Sequence, residues 1–391
     1  MPVGVDEDTM IVGVLGGGQL GRMMALAGLP LGLRLRFLDP DPGCPAAEAG
    51  ELIVGRYDEP AALERFVRGV GVATYEFENV PAAAARWLTE HVAVFPPQNA
   101  LAVAQDRVLE KRCFRSLGIG TAEFEEVDTL GGLEAAVDKL GTPCVLKTRR
   151  FGYDGKGQAV IRTPSDVRGA WDAVVGTRTG DADLELEAMV EFDRELSIIG
   201  VRGRDGRMAF YPAIENSHSG GILSFSVAPA PGLGEARQQE LERACGRVME
   251  HLDYVGVLTI EFFELAGGGL LANEMAPRVH NSGHWSIEGA ECSQFENHLR
   301  AVCGLPLGST RMAGSETDGP GGVSMMFNIV GRAPASREIL AIPGARLHMY
   351  GKAERAGRKL GHVTLCADTF AGLQRRAAAV RSVLERAGGR P

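Results

Sequence analysis

The stretch VLTIEFFELAGGGLLANEMAPR (residues 257–278) decides the fold of the central part of this chain. Two apolar runs flank its three consecutive glycines, which predicts a β-hairpin with a two- or four-residue loop. Either loop is centred between Gly267 and Gly268. Glu261 then lies directly across from Glu274 on the neighbouring strand, with Cβ atoms roughly 5 Å apart.

This carboxylate pair predicts chemistry as well as structure. Like charges that oppose each other on adjacent strands destabilise a sheet, so the pair implies a raised pKa or a bound cation. Oxygen ligands from two carboxylates suit Mg²⁺, especially an ion that also holds phosphates. A three-residue loop would shift the register by one residue and remove the pairing.

Composition excludes several classes of protein. With 45% hydrophobic residues and a net charge of −9 over 391 residues, the chain is expected to be globular with two or three domains, and not a general nucleic-acid binder. The seven cysteines are scattered without a CxxC motif, which favours reduced thiols in a cytoplasmic protein. We expect neither a signal peptide nor a membrane span.

Strands and helices alternate over the first hundred residues. The strand-like runs IVGVL (11–15), LRLRFLD (33–39) and GVATYEFE (71–78) are separated by helical stretches, which predicts βαβ units and a parallel sheet. Much later, RMAGSETDGPGG (311–322) is rich in Gly, Ser and Pro and is the best linker candidate.

A first glycine-rich turn, GGGQLG (16–21), follows the first strand. Gly16, Gly18 and Gly21 fit GxGxxG, and Asp39 ends the next strand, as in a dinucleotide-binding fingerprint. The pattern alone is weak, because a tight βα turn that holds another anion, or none, has the same sequence.

A second glycine-rich loop, RRFGYDGKGQ (149–158), follows the strand PCVLKT. Its backbone N–H groups could wrap a triphosphate, but it lacks GxxxxGK[ST], which disfavours a Walker-type site. An ordinary surface hairpin is the alternative. Lys147 favours the phosphate site, since a charge at the end of an apolar strand needs an anion to meet it.

The sequence HNSGH follows the hairpin directly. His280 and His284 are four residues apart, but Pro277 and Gly283 argue against a helix, so a substrate-contacting loop is expected and not a zinc site. Near the C-terminus, YGKAERAGRKLGH (350–362) concentrates basic residues between glycines. A solvated basic turn is the usual explanation, and a site for a phosphate monoester is the sharper one.

Several longer strings together resemble a known family. They are GGGQLGRMM, YEFENV, QDR (105–107), FGYDGKGQ, EFDRELS, ENSHSGGIL, NEMAPRVHNSGH and GRKLGH. They resemble the ATP-grasp superfamily and, within it, the N5-carboxyaminoimidazole ribonucleotide synthetases. The resemblance covers nearly the whole chain from about residue 11.

The resemblance implies an α/β fold of the ATP-grasp type, with a Rossmann-like parallel-sheet domain before it and a small β-rich domain after it. The implied division is a flexible extension (1–10), a pre-ATP-grasp domain (11–104), an ATP-grasp domain (105–310) with a lid subdomain at about 142–205, a linker (311–322) and a C-terminal domain (323–391). The glycine that usually opens the lid loop is replaced by Phe151, so its hinge is expected to be stiffer.

The resemblance also implies a role for each motif residue. The expected nucleotide ligands are Arg107, Lys147, Gly152, Tyr153, Asp154, Gly155, Lys156, Gly157, Glu187, Ala188, Met189, Val190, Glu195, His218, Asn273 and Glu274. Glu261 and Glu274 would bind the metal ion. Residues around the reacting bicarbonate and amine would be Tyr153, Asp154, Arg278, His280 and Asn281. The ribonucleotide would be held by Gln19, Leu20, Glu76, Lys352, Arg358 and Lys359.

The implied activity is ATP-dependent carboxylation of 5-aminoimidazole ribonucleotide by bicarbonate in purine biosynthesis, through carboxyphosphate. ATP and Mg²⁺ (or Mn²⁺) would be required, with no nucleic-acid or membrane partner, and a cytoplasmic homodimer is expected. Three alternatives remain open: another ATP-grasp ligase such as a formate-dependent glycinamide ribonucleotide transformylase, a Rossmann NAD(P) oxidoreductase, and a catalytically dead nucleotide-binding protein.

Overall fold

A computed structural model describes residues 10–150, 152, 157–176, 182–314 and 322–388. The N-terminal part is built on a parallel sheet of four strands in the order β3–β2–β1–β4, which confirms the parallel sheet predicted for this region. Its elements are β1 (Ile11–Leu15), α1 (Gln19–Gly28), β2 (Arg34–Asp39), β3 (Glu51–Val54), α2 (Pro60–Val67), β4 (Val70–Tyr75) and α3 (Ala82–Thr89).

The central strands β1, β2 and β4 are buried along most of their length, as expected of parallel strands covered on both faces. Their carboxyl ends meet at one edge of the sheet. The GGGQLG turn follows β1, while Asp39 ends β2 and Glu76 follows β4, so all three meet where open α/β sheets bind ligands.

A small antiparallel sheet forms a separate layer in the middle of the chain, in the order β5–β8–β6–β7. Its apolar core lies between the sheet and its two helices. The elements here are α4 (Gln98–Ala104), α5 (Arg107–Ser116), β5 (Phe124–Val127), α6 (Leu130–Leu140), β6 (Cys144–Thr148), β7 (Gln158–Ile161), α7 (Val167–Val175) and β8 (Leu184–Ala188). Because β6 and β7 pair directly, the second glycine-rich segment joins adjacent strands.

The largest sheet is antiparallel and runs in the order β14–β13–β9–β11–β12–β15–β17–β16, with β10 paired to β9. Its elements before residue 311 are β9 (Arg194–Arg202), β10 (Met208–Phe210), β11 (Ile214–Ser219), β12 (Ile222–Ala228), α8 (Glu235–His251), β13 (Gly256–Glu264), β14 (Leu270–Ala276), α9 (Ser286–Gly289) and α10 (Gln294–Cys303). Those after residue 322 are β15 (Val323–Val330), α11 (Ser336–Leu340), β16 (Arg346–Met349), β17 (Lys359–Ala367) and α12 (Phe370–Arg386).

Strands from both sides of the predicted linker belong to this one sheet, because β12 pairs with β15. The domain division at 311–322 therefore stays a prediction about the chain and does not mark an edge of the sheet. None of the helices in the described ranges is long and apolar enough to cross a membrane.

The hairpin β13–β14 confirms one prediction and corrects another. Glu261 pairs with Glu274, as predicted. The loop, however, has three residues, because Leu265 and Gly269 are the last hydrogen-bonded pair and Gly268 has φ +76°. The predicted two- or four-residue loop was wrong. The register shifts between Glu261 and Phe262, so that a bulge at Asn273 adds one residue to β14 and restores the pairing that the odd loop would have lost.

Helix α10 joins the N-terminal sheet to the large sheet through a buried histidine. The Nε2 atom of His298 lies 2.8 Å from Thr74 Oγ1 on β4, and its Nδ1 accepts the backbone N–H of Val257 on β13 at 3.1 Å. One ring therefore links elements of two sheets, and this contact helps to place the GGGQLG turn against the hairpin.

Candidate active site

A cleft of about 670 Å³ lies where the three sheets meet. The N-terminal part contributes Gln19 and Glu76, and the small sheet contributes Lys147. Glu261 and Glu274 form its wall on the hairpin, and Lys359 reaches it from β17. Residues that are more than three hundred positions apart in the sequence therefore face one space.

The hairpin carboxylates lie at the centre of this cleft. Burial, followed by the charge of Glu274, raises the pKa of Glu261 to about 7. The bulge places Asn273 beside Glu274 on the cleft wall. Two carboxylates and an amide that face one space fit Mg²⁺, which takes few protein ligands and completes its shell with phosphates and water. Among the described residues, no group of three or more His, Cys, Asp or Glu side chains forms a metal site by itself.

Arg107 connects this wall to the lid loop. It begins α5, whose N-terminus is capped by Asp106, and its Nη1 lies 3.7 Å from Glu274 Oε2. Its Nη2 donates to the carbonyl of Gly152 at 3.5 Å. The guanidinium therefore lies between the carboxylates and a glycine of the lid loop, where a polyphosphate would be held.

Lys147, on the wall of the cleft, forms an ion pair with Glu187. Lys147 Nζ lies 2.5 Å from Glu187 Oε2, and a second lysine, Lys111, lies 3.3 Å from the same oxygen and 2.8 Å from Glu185 Oε1. The cations outweigh burial and lower the pKa of Glu187. Glu187 and the predicted nucleotide ligands Ala188, Met189 and Val190 are not among the residues that line the cleft, and the backbone N–H groups of Ala188 and Met189 donate to Glu123 and Pro143.

Glu195 and His218 form a second pair on the cleft wall, through a hydrogen bond between a carboxylate oxygen and Nδ1. Burial alone would lower the pKa of His218, but the bond to Glu195 and the charge of Glu261 raise it. Glu195 and His218, both predicted to bind the nucleotide, are therefore adjacent, and both line the cleft.

The loop after the hairpin brings three predicted residues together. Glu78 Oε2 accepts from Arg278 Nε at 2.5 Å, which fixes one edge of the guanidinium. His280 Nδ1 accepts the backbone N–H of Ser282 at 3.3 Å, while Nε2 lies 3.7 Å from Glu261 Oε1. Within the described residues, neither polar atom of the Asn281 side chain has a hydrogen-bond partner, although that residue is buried and lines the cleft.

His280 is held neutral, because burial and then the neighbouring cations, Arg278 and Lys359, lower its pKa well below the usual value. The ring of His284 does not line the cleft and lies instead against the rings of Phe295, Tyr350 and His362. The two histidines of HNSGH therefore do not share a ligand, which agrees with the preference for a substrate loop.

The GGGQLG turn already holds carboxylates of this chain. Gly18 and Gly21 donate their backbone N–H groups to Glu76, the latter at 2.8 Å, and Gly17 donates to Asp39 at 2.7 Å. A dinucleotide pyrophosphate would need these same donors. The dinucleotide interpretation of this turn is therefore not supported, and Glu76 is instead fixed at the cleft edge beside Gln19 and Leu20.

The predicted phosphate-binding residues lie near this edge. Lys352 Nζ contacts Gln19 Oε1. Burial lowers the pKa of Lys352 to about 8; Glu76 opposes the shift, and the nearby Arg358, Lys359 and Arg355 add to it. Positive charge thus gathers around Lys352, and of the three predicted phosphate-binding residues Lys359 lines the cleft. Arg358 Nη1 donates to the carbonyl of Ala353 at 3.3 Å.

Four predicted residues of the lid loop, Tyr153, Asp154, Gly155 and Lys156, lie outside the described residues, as does Phe151. Sequence reasoning also missed three charged residues that the fold brings to the site: Glu78, Lys111 and Glu185. A signal for one of them, Glu185, was available. In the strand LELEA, alternation places Glu185 and Glu187 on one face, and two buried acids on one face require cations.

Comparison with known protein families covers nearly the whole chain. Residues 9–105 match the ribonucleotide synthetase preATP-grasp domain, residues 112–295 the ATP-grasp domain, and residues 324–376 the phosphoribosylaminoimidazole carboxylase C-terminal domain. The N5-carboxyaminoimidazole ribonucleotide synthase of Pseudomonas aeruginosa is 50% identical over 377 residues, which are 96% of this chain and 100% of that protein. The chain belongs to the N5-carboxyaminoimidazole ribonucleotide synthase family.

Solved structures of N5-carboxyaminoimidazole ribonucleotide synthases share the fold. The Thermus thermophilus enzyme is 52% identical with a TM-score of 0.88, over 95% of this chain and 98% of that one. The Aspergillus clavatus enzyme, solved with ADP and 5-aminoimidazole ribonucleotide, is 30% identical with a TM-score of 0.87, over 97% of this chain and 100% of that one. The family and the ATP-grasp fold expected from the sequence are therefore confirmed.

Proposed function

We propose that this chain is an ATP-dependent ligase that converts 5-aminoimidazole ribonucleotide and bicarbonate to N5-carboxyaminoimidazole ribonucleotide in purine biosynthesis, releasing ADP and phosphate. Membership of the synthase family at 50% identity supports the reaction. The observation that carries the assignment to this site is the single cleft itself, because Glu261 and Glu274 line it together with Gln19, Glu76 and Lys359.

In the first step, a bicarbonate oxygen attacks the γ-phosphorus of ATP, the bond to the β-phosphate oxygen breaks, and ADP and carboxyphosphate form. Arg107 and Lys147 supply positive charge beside the phosphates. Glu261 and Glu274 would hold Mg²⁺, which when bound offsets the charge that develops on the transferred group. Glu78 accepts a hydrogen bond from Arg278, which would hold the guanidinium of Arg278 beside the bicarbonate.

In the second step, the exocyclic amine attacks the activated carboxyl carbon, phosphate leaves and the amine loses a proton. Gln19, Leu20 and Glu76 would hold the ribonucleotide, with Lys352, Arg358 and Lys359 at its 5′-phosphate. His280 is neutral, so it can donate one hydrogen bond from Nε2 but cannot serve as a strong acid. Asp154 remains the proposed acceptor of the proton, within a lid loop that would exclude water from carboxyphosphate.

An ADP-release assay tests this function. Bicarbonate and aminoimidazole ribonucleotide together should support turnover, and omission of the ribonucleotide should reduce ADP release to a small background. Formate with glycinamide ribonucleotide is the competing substrate pair. If that pair, and not the first, stimulates ADP release, the chain is a transformylase. Substrate-independent ATPase activity would also overturn the proposal.

Two further expectations complete the proposal. We expect two copies of the chain to associate and the enzyme to work in the cytoplasm, as its scattered free cysteines suggest. Sedimentation of the purified protein tests the first expectation, and fractionation of cells that produce it tests the second.

A further inference from the structure

Lys111 is a fully buried cation that the proposed reaction does not use. Its side chain extends from α5, one turn after Arg107, and is 1% exposed. Its Nζ lies 2.8 Å from Glu185 Oε1 and 3.3 Å from Glu187 Oε2. A buried ammonium group is costly unless carboxylates compensate it, and Glu185 and Glu187 do so here.

Glu187 is shared between this buried lysine and Lys147. Its Oε2 is 2.5 Å from Lys147 Nζ, and that side chain is 15% exposed and lines the cleft. Lys111, Lys147, Glu185 and Glu187 thus form a cluster of two positive and two negative charges, on which the nearby Glu110 and Arg107 also act. Lys147 is its only member on the cleft wall among the described residues.

This arrangement allows Lys147 to change partners. When a polyphosphate enters, Lys147 can leave Glu187 for a phosphate oxygen, because Lys111 still pairs with both Glu187 and Glu185 and so leaves one net negative charge there instead of two. Without Lys111, two buried carboxylates would share Lys147 and hold it away from the nucleotide. They would also place one uncompensated negative charge near the phosphates, where attraction and repulsion are strong in a medium of low polarity.

We propose that Lys111 is a positioning residue that releases Lys147 to the phosphates of the nucleotide, by acting as the permanent counter-ion of Glu185 and Glu187. This role rests on the proposed function, since it requires ATP in the cleft. It differs from simple packing in one respect: an electrostatic effect grows with the number of phosphates on the ligand, whereas a packing defect affects adenosine and ATP alike.

Calorimetric titration of the full-length protein with ATP, ADP and adenosine tests this role. We expect Lys111→Met to weaken ATP binding about tenfold, or about 1.4 kcal/mol, to weaken ADP binding less, and to leave adenosine within about twofold. Glu185→Gln should restore ATP binding in the Lys111→Met background to within about threefold of wild type. Glu185→Gln alone keeps Lys111 and should bind ATP at least as tightly as wild type.

Two controls separate packing from charge. Lys139→Met removes an exposed lysine that pairs with Glu125 in the same small sheet layer and should change no affinity. Leu133→Ala opens the core of that layer and lowers the melting temperature without touching the charge cluster.

The proposal is overturned if Lys111→Met weakens adenosine as much as ATP, or if the double variant is no better than Lys111→Met. Should Lys111→Met not fold, Glu185→Gln alone decides: a loss of ATP affinity would contradict the proposal. Wild-type titration in the same series distinguishes the two levels, because a wild-type protein that binds no ATP refutes the proposed function and not merely the role of Lys111.

Discussion

Two clusters of buried charge lie on the same cleft and are constructed in opposite ways. Around Glu187, two lysines compensate two glutamates, and burial is balanced by ion pairs of 2.5–3.3 Å. At the hairpin, Glu261 and Glu274 face each other, and the pKa of Glu261 rises to about 7 because of burial and that neighbour. The first cluster pairs its charges within the protein, whereas the second brings two carboxylates together with Arg107 beside only one of them.

This difference indicates what each cluster does. A balanced cluster can exchange one partner for a ligand at little cost, which suits recognition of phosphates. A pair of facing acids would bind a divalent ion favourably, because the ion relieves their repulsion. Under the two proposals above, one side of the nucleotide region would release a cation, Lys147, and the other would acquire one.

The largest effect is expected at the unbalanced cluster. Glu274→Gln should lower the rate of ADP release about a thousandfold, at the upper end of what the loss of one group that stabilises the transition state costs. The rate is measured with saturating bicarbonate and aminoimidazole ribonucleotide at several Mg²⁺ concentrations. Glu240→Gln on the exposed face of α8 is the matched control and should retain wild-type activity. Full activity of Glu274→Gln would show that the hairpin pair is not the metal site.

The next prediction concerns the effect of His298, a histidine that burial keeps uncharged, on the free energy of unfolding. Burial lowers the pKa of His298 to about 4, against about 6.5 in the unfolded chain. Between these values the unfolded chain binds a proton that the folded protein does not. The free energy of unfolding should therefore fall by about 3 kcal/mol as the pH drops from 6.5 to 4.

Urea unfolding of the wild type and of His298→Gln across this pH range measures the contribution. The variant should lose that part of the pH slope, whereas His251→Gln at the exposed end of α8 should keep it. Parallel curves for the wild type and His298→Gln would mean that other groups carry the acid sensitivity.

A smaller effect is expected at the ribonucleotide end. Lys352→Met should raise the KM for aminoimidazole ribonucleotide about tenfold to a hundredfold, the range expected for one hydrogen bond to a charged group. The KM for ATP should stay within about twofold, because Lys352 contacts Gln19 and not the nucleotide region. Arg375→Met, at an exposed position of α12, is the control. Equal changes in both KM values would argue against a separate phosphate site.

The last prediction compares how much an exposed ion pair and a buried ion pair contribute to the free energy of unfolding, and the exposed pair is expected to give the smallest effect. Lys139→Met breaks an exposed pair with Glu125 and should change the free energy of unfolding by less than about 1 kcal/mol. Lys111→Met breaks a fully buried pair, for which a loss of about 3–5 kcal/mol is expected. Unfolding of the two variants in guanidinium chloride measures both losses of free energy. Similar losses would remove the distinction on which the two-cluster comparison depends.

Some residues of the site could be predicted from the sequence and others could not. Pairing across the hairpin predicted that Glu261 faces Glu274, the charge at a strand end predicted that Lys147 meets an anion, and the family resemblance supplied the substrates. The hairpin pair was correct although the loop length was wrong, because the loop is odd and the bulge at Asn273 compensates for it. No pattern in a single sequence predicts such a bulge, because its position depends on how β14 packs against β13.

The glycine-rich turn shows the opposite case. Its sequence correctly indicates backbone donors at a helix N-terminus, but the anions it holds come from Asp39 and Glu76, which are 22 and 58 residues away from their partners in the turn. The sequence could identify the donors but not which carboxylates reach them, because only the meeting of the ends of β1, β2 and β4 at one sheet edge brings them together.

The sequence by itself determined the family, three of the four parallel strands of the N-terminal sheet (β1, β2 and β4), and the facing of two glutamates across one hairpin. These depend on local periodicity and on strings that a single chain displays. The tertiary structure decided which charges are compensated. Lys111, Glu185 and Glu78 find their partners 74, 74 and 200 residues away, and electrostatic balance is a property of distances in space that no neighbouring residue in the sequence records.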